Sequence, residues 1–211
     1  MRVLKKAAVV VVAASTLLVG LSTPASAHTK NDLGTRSLAT VLAKDGAGFD
    51  RNPNDFDIVD AAVTAVLTAK PGSPVAVLAD GDTALTAFLP TDRAFRRLAQ
   101  DLTGQHYRSE EAVFTDLAGA LGVDTIESVL LYHVVPGSTI TSKQARRSNG
   151  AVLDTALAGS TLRVKVRHPR VYLVDADRDD TNPRVVRANI NKGNVQIAHG
   201  IDRVLRPVDL P

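Results

Sequence analysis

The 211-residue chain contains no cysteine. A disulfide-stapled scaffold, an iron–sulfur cluster, a Cys-ligated zinc site and a cysteine nucleophile are therefore excluded. Glutamate is scarce, with Glu110, Glu111 and Glu127 the only three, all in helical or capping contexts. Aromatic residues make up 4% of the chain. No apolar run beyond residue 27 approaches the roughly 20 residues needed to cross a bilayer. There is no internal repeat, no low-complexity linker, no Gly-x-Ser-x-Gly elbow, no His-Glu-x-x-His pair and no phosphate-cradling loop. Gly46-Ala47-Gly48 does not develop into a dinucleotide fingerprint. These absences lead to the expectation of a non-enzymatic protein without a cofactor. With 45% hydrophobic residues, 14 Gly and 10 Pro, what remains has the composition of one globular domain.

The N-terminus is a segment apart. Arg2, Lys5 and Lys6 precede an apolar stretch from Ala7 to Gly20, followed by Pro24 and the small-residue triplet Ala25-Ser26-Ala27. That order of basic, apolar and cleavable regions is a secretory signal peptide over residues 1–27. Cleavage would release a chain with no membrane span, beginning in a polar tail over residues 28–35. The formal charge of +3 belongs to the signal segment, since the remainder balances 22 basic against 22 acidic groups. A neutral chain has no electrostatic reason to seek nucleic acid. The charge is unevenly spread, however. Residues 28–139 carry 9 basic and 15 acidic groups, and residues 140–211 carry 13 and 7. Either these charges meet within the fold, or a basic face is left for an anionic polymer.

Helical spacing dominates the first half. Leu38, Val41 and Leu42 form a short helix ended by Gly46. Ile58, Val59, Ala62, Val63, Val66 and Leu67 form a longer one stopped by Pro71-Gly72. Leu85, Ala87 and Leu89 alternate as a strand, with Phe88 on its other face. Pro90 closes that strand and Thr91 stands where it can cap the helix of Phe95 and Leu98. Val113, Phe114, Leu117 and Leu121 predict a further helix ending at Gly122, and Asp124 starts another through Ile126, Val129, Leu130 and His133. The period then changes to two. Leu162, Val164 and Val166 alternate with Arg163, Lys165 and Arg167, and Val171–Val174, Arg184–Ile190, Val195–Ala198 and Ile201–Leu205 are further strand candidates. Helices early and strands late predict an α+β domain.

Three segments resemble the fasciclin (FAS1) family: Thr86-Ala87-Phe88-Leu89-Pro90-Thr91-Asp92-Arg93-Ala94-Phe95, Leu130-Leu131-Tyr132-His133-Val134-Val135-Pro136-Gly137, and Ile197-Ala198-His199-Gly200-Ile201-Asp202-Arg203-Val204-Leu205. Their order and spacing agree with that family over residues 36–209. The resemblance implies an antiparallel β-sandwich flanked by helices in a compact wedge. It also implies a secreted or cell-surface role in adhesion or matrix contact. The alternative is a small-ligand carrier or hydrolase on the same scaffold. Pro90, Thr91, Asp92, Phe95, His199 and Asp202 fall in the motif positions and read as structural. A single copy provides no avidity, so strong adhesion would require weak self-association or a repeated target.

Four groups of residues are candidates for chemistry. Tyr132 and His133 read either as a partner contact, which the resemblance suggests, or as a hydrogen-bonded pair inside the core. Asp175, Asp177 and Asp179 alternate like the start of a calcium loop. Asp180 stands where that loop needs Gly and Val186 where it needs Glu, so a solvated turn is the competing account. His199 lacks a second ligand at zinc spacing. Arg163, Lys165 and Arg167 would lie on one strand face about 6–7 Å apart, near Arg170. That spacing could track the anionic groups of an extracellular polysaccharide, unless acidic neighbours pair them.

Overall fold

The computed structural model describes residues 33–44 and 48–208. The signal peptide, residues 28–32 of the polar tail, the helix stop at Gly46 and the last residue of the proposed domain lie outside them.

Helix α1 spans Leu38–Leu42, capped by Ser37, whose hydroxyl accepts from the Thr40 N–H. Helix α2 (Asp57–Ala69) turns Ile58, Val59, Ala62, Val63 and Val66 inward, and a 3₁₀ segment follows at Pro74–Ala79. Strand β1 (Leu85–Pro90) leads into α3 (Asp92–Thr103). Helix α4 (Glu110–Tyr132) is broken at Gly122, whose φ of 72° and ψ of 164° interrupt the helical course where the sequence predicts a boundary. After β2 (Val134–Pro136) and a one-turn helix α5 (Ser142–Ala145), strands dominate. These are β3 (Val152–Asp154), β4 (Thr161–Arg167), β5 (Arg170–Val174), β6 (Val185–Ile190) and β7 (Gln196–Ile201).

The strands form two sheets, one ordered β2-β1-β7-β6 and the other β3-β4-β5. Within the first, β1 runs parallel to β7, in register from Leu85↔Gln196 to Pro90↔Ile201, while its other pairings are antiparallel. Both central strands are buried along their whole length. Alternation along β1 explains why. Leu85, Ala87 and Leu89 join the main core with α2, α3 and α4. Phe88 belongs to a second core with Val135, Ile201, Leu162 and Leu173, which fills the space between the sheets. The architecture is therefore α+β, a two-sheet sandwich with helices against one outer face. Two strand expectations are corrected. Val195–Ala198 and Ile201–Leu205 are replaced by a single strand, Gln196–Ile201, beyond which the Asp202 carboxylate accepts from the Arg184 N–H at 2.8 Å in place of a backbone carbonyl. The short strands β2 and β3, each three residues long, have too few residues to display a period in the sequence.

The Pro90–Phe95 segment works differently from its sequence reading. Thr91 occupies the N-cap of α3, but its hydroxyl makes no capping bond. The N–H groups at the helix start are already taken, Asp92 N–H by the Asp55 carbonyl (3.2 Å) and Arg93 N–H by that of Pro53 (2.9 Å). Asp92 in turn reaches across to α2 and accepts from Ile58 N–H at 2.9 Å. Since α2 has no side-chain cap of its own, α3 closes the start of α2 while the turn preceding α2 closes the start of α3.

Candidate functional site

Strands β3, β4 and β5 present one face to the second core and the other to solvent. On the outer face of β4, Thr161, Arg163, Lys165 and Arg167 are exposed while Leu162 and Val164 are buried. Antiparallel register places Val152 beside Arg163 on β3, and Val174, Tyr172 and Arg170 beside Arg163, Lys165 and Arg167 on β5. Opposed residues share a face. One surface thus gathers four cations around a half-buried Tyr172, with a single acidic residue, Asp154, at its margin. The Arg167 guanidinium lies 5.9 Å from the Tyr172 ring centre, within cation–π range. Val152, 53% exposed, supplies an apolar edge.

None of Arg163, Lys165, Arg167 or Arg170 forms an ion pair among the described residues. Three other cations of the second half are engaged. Arg184 pairs with Asp202 (3.2 Å), Arg203 with Asp180 (2.8 Å), and Arg206 with Asp177 (3.0 Å) and Asp101 (2.7 Å). Arg206 thereby joins the basic half to an acid of the first half. The uneven charge distribution is met internally around Arg206 and left unmet on the β4–β5 face.

A cleft of about 660 Å³ adjoins this face, lined among others by Arg163, Ser160, Asp175, Arg178 and Asn182. Burial holds the Asp175 carboxyl up to about 6. Its Oδ2 accepts from the Arg206 backbone N–H at 2.9 Å.

The Asp-rich turn is not simply solvated. Asp177 is buried, its Oδ1 accepting from the N–H groups of Asp179 and Asp180 (both 3.1 Å) and its Oδ2 from the Arg206 guanidinium. Against the opposing pull of burial, hydrogen bonds from the loop backbone and from Arg206 hold its carboxyl below the usual range. The Arg206 guanidinium, from outside the turn, is the positive charge that meets Asp177.

Tyr132 and His133 are corrected as partner contacts, because they are 1% and 4% exposed. Tyr132 donates to the Thr161 carbonyl at 3.1 Å, tying α4 to the second sheet. His133 accepts the Leu205 N–H on Nε2 at 2.9 Å. Its Nδ1 therefore carries the proton and donates to the Val129 carbonyl at 2.7 Å. Burial pushes His133 down to about 4, so the ring is neutral. His199 is likewise enclosed. It accepts from Asn189 N–H on Nδ1 (3.3 Å), donates from Nε2 to the Ile140 carbonyl (2.8 Å) and stacks on Phe88 at 6.0 Å. Apolar neighbours at helical and strand spacing are the sequence signal that these rings are interior.

A buried carboxyl cluster escapes sequence reading. Asp55, Asp92 and Glu110 each bring one oxygen within 4.8 Å of the others, and all are buried. Burial pushes Asp92 up to about 8, with its contact to Asp55 adding to the shift. Arg96 meets Glu110 at 2.8 Å. Three hard oxygens are a cation's ligand set, but here a retained proton and the Arg96 guanidinium already supply the compensating charge. No local spacing announces a cluster assembled from three separate elements.

A family model of the fasciclin domain matches residues 61–207. Among solved structures, a FAS1 domain pair from the insect cell adhesion molecule fasciclin I superposes with a TM-score of 0.52 at 17% identity, covering 74% of this chain and 48% of that one. The chain thus spans about half the length of that structure, and at this identity the likeness is one of fold. No curated protein sequence matches the chain.

Proposed function

The chain belongs to the fasciclin domain family, and from that footing we propose that it is a secreted adhesion module whose β3–β4–β5 face grips an anionic extracellular polysaccharide. Fasciclin domains are adhesion-type modules, typically without catalysis, and among the described residues no helix is long and apolar enough to cross a membrane. Export itself rests on the basic, apolar and small-residue pattern of residues 1–27.

One observation carries the choice of partner. Arg167 stands directly opposite Arg170, and neither these two nor Arg163 and Lys165 has a carboxylate within ion-pairing distance among the described residues. Like charges directly opposed on a sheet are unfavourable. A polymer bearing carboxylates or sulfates relieves that repulsion, at a spacing of about 6–7 Å between alternate residues of β4. Tyr172, flanked by Lys165 and Arg167, offers a ring against which a sugar can lie, and the adjoining cleft offers hydrogen-bonding groups. An extracellular protein with an acidic surface would meet the same cations. The regular row favours a repeating polymer.

The test uses the mature chain against immobilised polygalacturonate and dextran sulfate, with neutral dextran as control, over a salt series. Binding should weaken steeply between low and high salt, since exposed charges are screened within about 8 Å at physiological ionic strength. It should also fall at least about tenfold in the R163Q/K165Q/R167Q variant. Binding that ignores both salt and the triple substitution removes the proposal. Sizing the protein with and without polymer reports whether weak self-association supplies the avidity.

A further inference from the structure

On the far side of the first sheet from the basic face, the main core is incompletely filled. A cavity of about 100 Å³ lies between α2, α3, α4 and β1, bounded at one end by residues Val204–Val208. Its polar lining residues are Thr125, His133 and Arg206 alone. His133 has both ring nitrogens committed to backbone partners. Thr125 is exposed. A water needs two to four polar partners to be held in such a space, and these walls do not provide them. The volume is about two-thirds of the roughly 150 Å³ of an engineered apolar cavity that admits benzene, so a ring enters with some yielding of the walls.

Two features bear on what fills it. The first is Gly122. The break in α4 falls between Leu121 and Ile126, both lining the cavity and only half-buried. Here the helical wall is interrupted at a glycine, and nearby Thr125 both lines the cavity and is exposed to solvent. The second is Arg206. Its Nη1 and Nη2 meet Asp177 and Asp101, while its Nε is buried with no acceptor. An orphaned guanidinium N–H is costly, and here it belongs to a residue on an otherwise apolar wall. Because Asp101, Asp177 and Asp180 already surround this guanidinium, a negatively charged ligand would be repelled. A neutral carbonyl oxygen would not.

We propose that this cavity binds a compact neutral molecule with an aromatic-ring-sized apolar body and one carbonyl-type acceptor, the body filling the space among Leu98, Leu117 and Leu130 and the acceptor taking the Arg206 Nε–H. This is a small-ligand site on elements separate from the polysaccharide-binding face, and it does not depend on that face.

Acetophenone, toluene and benzoate serve as probes on the intact mature chain, by thermal unfolding at rising ligand concentration and by saturation-transfer NMR. Acetophenone should raise the unfolding midpoint progressively, as any ligand of the native state alone must. Toluene and benzoate should each bind at least about tenfold more weakly. Ala118→Leu, which places a larger side chain on the cavity wall, should abolish the acetophenone response while keeping a cooperative transition. If Ala118→Leu does not fold, Ala62→Val fills the same space from α2 and carries the same expectation. No midpoint shift and no saturation transfer with acetophenone overturns the site. So does an equal response in the filled variant. Equal binding of toluene or benzoate overturns the role given to Arg206.

Discussion

Replacing His133 by Phe offers the sharpest test of how the fold is locked. In the native ring, Nε2 accepts the buried Leu205 N–H and Nδ1–H reaches the Val129 carbonyl. A phenyl ring has comparable bulk and neither function. Leaving the Leu205 donor unpaired costs about 1–3 kcal/mol, and the lost Nδ1 bond adds about 1, so the variant should be destabilised by about 2–4 kcal/mol at neutral pH. Acidity supplies the discriminating measurement. The folded-state value of about 4 lies below the ordinary 6.5, so the unfolded chain takes up the proton first. His133 therefore contributes nothing adverse above pH 6.5, and wild-type stability falls as pH drops through that value towards 4. The linked loss is about 1 kcal/mol at pH 5.5 and about 3 kcal/mol at pH 4. The His133→Phe variant has nothing to titrate at this position, and contributions from other groups, His199 included, cancel in the comparison. Urea unfolding at pH 7.5, 5.5 and 4, read as midpoints at constant slope, should show the gap between the two proteins narrowing with acid until it nearly closes. A gap that stays constant over that range would refute the account of a neutral, doubly bonded imidazole.

Three further outcomes follow from the same geometry. Asp92→Asn should match wild type near pH 4 and be the more stable of the two at pH 7, because the burial that raises Asp92 to about 8 makes the folded wild type hold a proton that its unfolded chain has released. A raised value means the group's stabilisation is complete below pH 3.8 and is lost progressively as pH rises from there to about 8, so the wild type should weaken across that window and level off above it, while the Asn variant should be flatter in a denaturant series. Gly122→Ala should cost about 1–3 kcal/mol by thermal or urea unfolding, since a Cβ is strained at φ 72°, ψ 164°, although no neighbour blocks it. Arg206→Met should cost about 3–5 kcal/mol by leaving Asp177 buried without its partner. A change under about 1 kcal/mol there would show that the turn reorganises around water instead.

What the sequence made legible is what local period and local breakers encode. The Leu85/Ala87/Leu89 alternation placed Phe88 in a different core, the glycine at 122 marked a real interruption, and Arg163, Lys165 and Arg167 fell on one wet face. Three contiguous motifs were enough to identify the fold. What escaped is made by residues far apart in the chain. Thr91 has the identity and position of a capping residue, yet the Pro53 and Asp55 carbonyls reach the helix start first. Asp92 looks like a charge placed for a helix dipole, but full burial beside Asp55 keeps its proton on. Whether the basic row was paired depended on where the acidic groups of the second half went, and Arg184, Arg203 and Arg206 claimed the nearby ones. Side-chain type predicts what a residue can do, and tertiary competition decides which option it takes.

The parallel ladder between β1 and β7 has a bearing on how the polypeptide comes into being. Leu85–Pro90 acquires its inner neighbour only when Gln196–Ile201 arrives, far later in the chain. A nascent or translocating chain still lacking Gln196–Ile201 would hold an apolar ribbon with a bare flank, which is prone to pairing with other chains. Closure of the central sheet is thus a late, long-range event and slow by topology. A polypeptide built this way stays threadable until its tail is free, and it should be especially vulnerable to premature termination.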